Sequence, residues 1–108
     1  MDIESLREYV LQKPSVTEGF PFGEDTLVFK VKNKIFLLFA LDCSPLRFNV
    51  KCDPEKALEL RETFPLNVLP GYHMNKKHWN TIIVDGVLPA RELKKMVDHS
   101  YQLVAGIR

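Results

Sequence analysis

Histidine and cysteine are the residue types in this chain that could bind a metal ion or carry nucleophilic chemistry. His73 and His78 are five positions apart in a predicted loop, and His99 lies in a predicted helix. Cys43 or Cys52 could complete a ligand set, but no pair among the five has a spacing typical of zinc sites. We therefore expect no metal ion and no cofactor.

The two cysteines are predicted to be reduced, unpaired and mostly buried. Neither Cys43 nor Cys52 belongs to a C-x-x-C pair, and two cysteines do not make a disulfide framework. Cys52 is the better nucleophile candidate because Lys51 precedes it, but its place before a helix cap favours a packing role. No glycine-rich phosphate loop is present either, so the sequence predicts a non-enzymatic protein.

Basic residues are concentrated in the middle of the chain, although the formal net charge is only +1. Residues 1–26 contain six acids and two bases, whereas residues 27–51 contain five bases and one acid. A basic strand and loop surface suits a polyanion such as DNA, although lysines on a strand face also discourage edge-to-edge aggregation. The candidate DNA contacts are Lys30, Lys32, Lys34, Arg47, Lys51, Tyr72, His73, Lys76, Lys77 and His78.

The elements that would position these residues form an α+β pattern in one domain of residues 1–108. Helices are predicted over Ile3–Leu11, from Pro54 to the residue before Pro65, and after Pro89. Strands are predicted over residues 27–31, 35–41, 46–51 and 79–84, with a further short strand left open near Val87. The order α-β-β-β-α-β-α predicts an antiparallel sheet flanked by helices.

The length of the turn between the first two strands decides which residues of the second strand lie on the same face as Lys30. A turn of two or four residues places it with Ile35 and Leu37, whereas a turn of three residues places it with Phe36 and Leu38.

Large aromatic side chains are predicted to anchor the core. We expect Trp79 and Tyr101 to be largely buried, and Phe20 and Phe22 to pin the turn-rich segment 17–25 onto the core. The next segment without predicted structure is a long loop over residues 66–77.

No membrane or secretory segment is expected. The longest apolar run, residues 35–41, is far short of the roughly 20 residues that span a bilayer. The first residues are acidic and lack the basic start and apolar core of a secretory signal. The sequence therefore predicts a cytoplasmic protein.

Short motifs spread along the chain carry a family resemblance. They are Pro21-Phe22-Gly23, Val28-Phe29-Lys30-Val31, Lys34-Ile35-Phe36, Val50-Lys51-Cys52 with Pro54, the loop segment from Pro70 to Asn80, Leu88-Pro89 and Ser100-Tyr101. Through these motifs the chain resembles the MmcQ/YjbR family of small bacterial proteins. The resemblance implies a frataxin-like (CyaY-like) fold in a double-wing arrangement and a proposed role in DNA binding, without an established reaction or site.

The predicted function is weak, largely sequence-independent and salt-sensitive DNA binding through the basic strands and loop. Iron capture of the frataxin kind is not expected, because the first helix region offers only Asp2, Glu4 and Glu8. One alternative is an interaction module that recognises an acidic protein partner. Another is a small-molecule site beside His73 and His78.

Overall fold

Three helices and six strands form the part of the chain that this computed structural model describes, residues 1–71 and 74–106. The elements are α1 (Ile3–Leu11), β1 (Thr17–Gly19), β2 (Thr26–Val31), β3 (Lys34–Ala40), β4 (Leu46–Lys51), α2 (Pro54–Thr63), β5 (Val68–Pro70), β6 (Trp79–Val84) and α3 (Ala90–Ala105). All strands pair antiparallel in one sheet with the order β1-β2-β3-β4-β6-β5. The predicted α+β class is confirmed.

The helices begin where the sequence places capping residues. Asp2 and Asp53 each accept a hydrogen bond from a backbone N–H of the first turn that follows, which satisfies donors that lack a partner inside the helix. α3 follows Pro89 and ends at Gly106, whose φ of +75° is a left-handed conformation that glycine adopts without strain. Within the described ranges, no helix is long and apolar enough to cross a bilayer.

β1 and β5 are two edge strands that the sequence did not predict. Each has three residues and lies in a segment expected to be turn or loop. Three residues give too little alternation to be recognised, so these strands exist because they pair with β2 and β6. The further strand considered near Val87 is absent from the described residues, since Val87 lies in a bend and is 70% exposed.

One face of the sheet carries the core and packs against the helices. Phe29, Phe39 and Phe48 are fully buried there and meet edge to face, with ring centroids 5.5 Å and 5.9 Å apart. Val97 and Tyr101 of α3 belong to the same cluster, and Tyr101 is 6% exposed, as predicted. We call this side of the sheet the helical face.

The opposite side carries the residues that alternate with those of the core, and we call it the open face. The strand register assigns to it Val28, Lys30, Ile35, Leu38, Arg47, Asn49, Lys51, Trp79, Thr81 and Ile83. None of these ten side chains belongs to the core cluster. The alternation predicted for β4, with Arg47, Asn49 and Lys51 on one side, is confirmed.

Ser100 of α3 inserts its hydroxyl between β3 and β4. The hydroxyl donates a hydrogen bond to the Phe36 carbonyl at 2.5 Å and accepts one from the Lys51 N–H at 2.9 Å. Direct pairing of the two strands stops at Leu37, and Phe36 forms a bulge in β3. The side chain therefore replaces a backbone hydrogen bond and satisfies two backbone groups that would otherwise lack partners.

Three side chains expected in the core are exposed instead. Phe20 and Phe22, in the turn after β1, are 53% and 65% exposed, so they do not pin this segment onto the core. Cys43 is also exposed, in the turn between β3 and β4, whereas Cys52 is buried as predicted. Both cysteines are unpaired. The apolar character of these residues indicated burial, but they lie in turns that no helix covers.

Candidate functional site

Three of the predicted basic residues share the open face. Lys30 lies on β2, while Arg47 and Lys51 lie on β4, two strands away and therefore roughly 10 Å across the sheet. Arg47 and Lys51 are four residues apart, or about 13 Å along their strand. Glu18 is the only acidic residue in the described strands. The register places it on the helical face, where it pairs with Arg7. The charged side chains that the register places on the open face of these strands are therefore all basic.

The β2–β3 turn and the bulge determine the position of Lys30. The turn contains two residues, Lys32 and Asn33, both with positive φ, and Lys30 lies opposite Ile35 as expected for this length. The predicted partnership with Leu37 is wrong, because the bulge at Phe36 moves Leu37 to the helical face.

The other predicted contacts are separated from this group. Lys34 pairs with Val31, so the register places it on the helical face, opposite to Lys30. The Lys32 ammonium donates a hydrogen bond to the Ala105 carbonyl at 2.6 Å, near the C-terminus of α3. Tyr72 and His73 lie outside the described residues.

Trp79 lies on the open face rather than in the core cluster, although most of its surface is covered, so its predicted burial holds in large part while its predicted place in the core is wrong. It is the first residue of β6, it lies directly opposite Lys51, and it is partly exposed. It belongs neither to the core cluster nor to the partly buried side chains packed against that cluster. An aromatic ring beside a basic residue on an open sheet is an arrangement that can stack on a nucleobase.

The backbone beside Trp79 is held closely. Gly71 donates its N–H to the Trp79 carbonyl at 2.9 Å. A Cβ at Gly71 would lie 2.8 Å from the Trp79 Cβ, which is closer than real Cβ contacts allow. Glycine is therefore required where the chain leaves β5, so that the tryptophan can occupy its position.

Arg61 of α2 fixes the loop that leads into β6. Its guanidinium donates to Asn80 Oδ1 at 2.7 Å, to the Trp79 carbonyl at 3.1 Å and to the Lys76 carbonyl. Asn80 is fully buried. The fork of Arg61 therefore connects the start of β6 to the loop that carries Lys76 and Lys77.

The loop over residues 75–78 is a compact turn. The His78 N–H donates to the Asn75 carbonyl at 3.1 Å, and the Lys77 N–H donates to Asn75 Oδ1 at 2.9 Å. The His78 carbonyl in turn accepts from the Cys52 N–H at 2.7 Å. The backbone of His78 is thus structural, while Lys76 and Lys77 are exposed at the end of the sheet where Trp79 begins β6.

A hollow of about 340 Å³ lies on the open face at the other edge of the sheet. Its lining includes Phe20, Pro21, Val28 and Lys30. Sequence reasoning did not assign Phe20 to the site, and its apolar character gave no signal for it. The open face therefore has an aromatic residue beside a lysine at each end, the exposed Phe20 with Lys30 and the partly exposed Trp79 with Lys51.

A second hollow of about 280 Å³ lies on the helical face between α2 and α3. Leu60, Ile82 and Met96 contribute apolar lining, and His99 and Cys52 lie at its margin. Burial lowers the pKa of His99 and raises the pKa of the Cys52 thiol to about 11, so neither group is charged at neutral pH. His78 lines neither this hollow nor the one on the open face.

Among the described residues, no three His, Cys, Asp or Glu side chains come together in a group that could hold a metal ion. His99 uses its Nε2 atom to accept a hydrogen bond from the Asp53 N–H at 3.2 Å.

These features define a small α+β domain with helices on one sheet face and a basic, partly aromatic open face on the other. The chain belongs to the YjbR family, whose model matches residues 11–103. It is 38% identical to the uncharacterised protein YbdF of Escherichia coli O157:H7, covering 96% of this chain and 88% of that protein. It is 31% identical to the uncharacterised protein YjbR of Escherichia coli K12, covering 94% of this chain and 86% of that protein.

Solved structures show the same fold. The crystal structure of Deinococcus radiodurans protein DR2400 is similar with a TM-score of 0.91 and 42% identity, covering 95% of this chain and 78% of that one. The crystal structure of a Pseudomonas syringae protein gives a TM-score of 0.77 at 25% identity, covering 96% of this chain and 99% of that one.

Proposed function

We propose that this protein binds DNA through the open face of its sheet and catalyses no reaction. The observation that carries the proposal is the placement of Lys30, Arg47 and Lys51 on one face whose strands present no carboxylate. Phosphate contacts release condensed counterions, so even a few such bases give measurable affinity at low salt. The buried Cys52 thiol, whose pKa is raised, is unsuited to act as a nucleophile, which supports a binding role.

The number of contacts sets the expected salt dependence. Lys34 is on the opposite face, and the Lys32 and Lys76 ammonium groups donate to the Ala105 and Gly71 carbonyls, so the contacts reduce to the three open-face bases and Lys77. Each phosphate contact adds about −0.9 to the slope of log affinity against log salt on duplex DNA. Binding should therefore be weak, steeply salt-dependent and largely indifferent to sequence.

Fluorescence anisotropy of labelled DNA at several salt concentrations tests the proposal. Lys30→Glu should weaken binding and flatten the salt slope, because it replaces a phosphate contact by a like charge. Lys34→Glu is the matched control, since it makes the same charge change in the same hairpin on the other face. If the two substitutions weaken binding equally, DNA is attracted by the net charge of the protein and not by the open face. Absence of binding at low salt would refute the proposal.

The same face could instead receive an acidic protein. The exposed Phe20 beside Lys30 favours this second candidate, because interfaces combine apolar and basic side chains. An acidic partner that co-purifies with the protein and is lost in Lys30→Glu, together with no affinity for DNA, would support this candidate over DNA binding.

A further inference from the structure

The width of the sheet limits how it can approach DNA. Six strands at a spacing of roughly 4.8 Å make a surface about 24 Å wide. The major groove of a duplex is about 12 Å wide and admits a helix or a two-stranded ribbon. The open face therefore cannot enter the groove, and on a duplex it can contact only backbone.

The aromatic side chains of the open face suit a different form of DNA. Trp79 is partly exposed beside Lys51, and Phe20 is 53% exposed in the hollow that Lys30 also lines. In a duplex, the faces of each base are covered by its stacked neighbours, so these rings have nothing to stack on. An unpaired strand presents the π-faces of its bases together with its phosphates.

We propose that the open face is a site for single-stranded DNA, with one unpaired base stacked on the indole of Trp79. The phosphates on either side lie against Lys51 and Arg47, and the strand runs across the sheet towards Lys30, where Phe20 offers a second ring. The hydrogen bonds from Arg61 and Gly71 to the Trp79 carbonyl hold the backbone in place before the ligand arrives. This inference rests on the proposed function and specifies its ligand.

Trp79 also provides the measurement, because it is the only tryptophan in the chain. Intrinsic fluorescence is recorded during titration with a short oligothymidylate, with an abasic oligomer of the same length and with a duplex. Stacking should quench the emission on oligothymidylate and leave it nearly unchanged on the abasic oligomer, which has the same phosphates. The abasic oligomer should bind about ten-fold more weakly, since each base stacked on an aromatic ring adds appreciable affinity.

Variants separate the ring from its surroundings, with binding followed by anisotropy. Trp79→Phe should keep part of the preference for oligothymidylate over the abasic oligomer, whereas Trp79→Leu should lose it. Phe20→Leu should weaken oligothymidylate binding, and Phe22→Leu is its matched control, because Phe22 is also exposed but does not line the hollow. Circular dichroism checks that each variant is folded. If Trp79→Leu does not fold, the fluorescence quenching of the unmodified protein on oligothymidylate tests whether a base stacks on the indole.

The outcomes distinguish the two proposals. Equal affinity for oligothymidylate, abasic oligomer and duplex, with unchanged fluorescence, would overturn the single-strand inference and leave DNA binding through phosphates intact. No affinity for any of the three at low salt would overturn both. A preference for oligothymidylate that survives in Trp79→Leu would also overturn the role of the indole.

Discussion

Removing the Ser100 hydroxyl tests how the sheet is held together behind the open face. In Ser100→Ala, the Phe36 carbonyl and the Lys51 N–H both lose their partner. Each buried backbone group left without a hydrogen bond costs about 1–3 kcal/mol, so the two together cost about 2–6 kcal/mol. Alanine is a better helix former than serine, and this difference offsets at most about 0.7 kcal/mol of the lost stability. The expected loss of unfolding free energy is therefore about 1–5 kcal/mol.

The assay is urea denaturation. The m-value, which is the slope of unfolding free energy against urea concentration, should stay unchanged because it reports the surface exposed on unfolding. Ser5→Ala in α1 is the matched control, since Ser5 is exposed and its hydroxyl makes no comparable bridge. Hydrogen exchange of the Lys51 amide should also accelerate in Ser100→Ala and not in the control. A loss below about 1 kcal/mol with a protected Lys51 amide would show that β3 and β4 close and pair directly, which would refute the reasoning.

Four further predictions concern residues beside Trp79 and the two cysteines. Gly71→Ala should destabilise the protein and shift the tryptophan emission, because its Cβ would lie 2.8 Å from another Cβ, whereas Gly19→Ala meets nothing within 4 Å and should not. Arg61→Lys should cost about 1–3 kcal/mol in urea denaturation, since an ammonium cannot reproduce the guanidinium fork. Alkylation at neutral pH should label the exposed Cys43 and spare Cys52, giving one adduct by mass spectrometry. Because burial raises the Cys52 pKa from 9.0 to about 11, its contribution to stability should be lost as pH rises across that interval, and Cys52→Ala should flatten this loss.

The local signals of the sequence were sufficient for most of the fold. The caps at Asp2 and Asp53 set the starts of two helices, and the alternation of β4 placed Arg47 and Lys51 on one face. These predictions succeeded because each depends on neighbouring residues only.

The division of the basic residues between the two faces could not be read from the sequence. Lys30 and Lys34 lie on either side of a two-residue turn, and a one-residue change in register moves a side chain to the other face; the bulge at Phe36, beyond Lys34, decides the face of Leu37. The bulge coincides with the insertion of Ser100, which is 64 residues further along the chain than Phe36. No local pattern could have indicated that contact.

The placement of Trp79 on the open face was missed for a different reason. β6 is apolar on both faces, so its periodicity could not tell which side packs against the helices. A large aromatic residue in such a strand is usually buried. Only the pairing of β6 with β4 places Trp79 beside Lys51 on the uncovered side.

The loose attachment of α2 has a consequence for the motions of the open face. This helix fully buries only Ala57, and segments with few buried contacts open locally at a lower free energy than the whole protein. Each opening withdraws Arg61 from the Trp79 and Lys76 carbonyls together, so the start of β6 and its loop are released in the same event. The amides of α2 should therefore exchange faster than those of α3, and a helix on one side of the sheet sets how often the open face on the other side can rearrange.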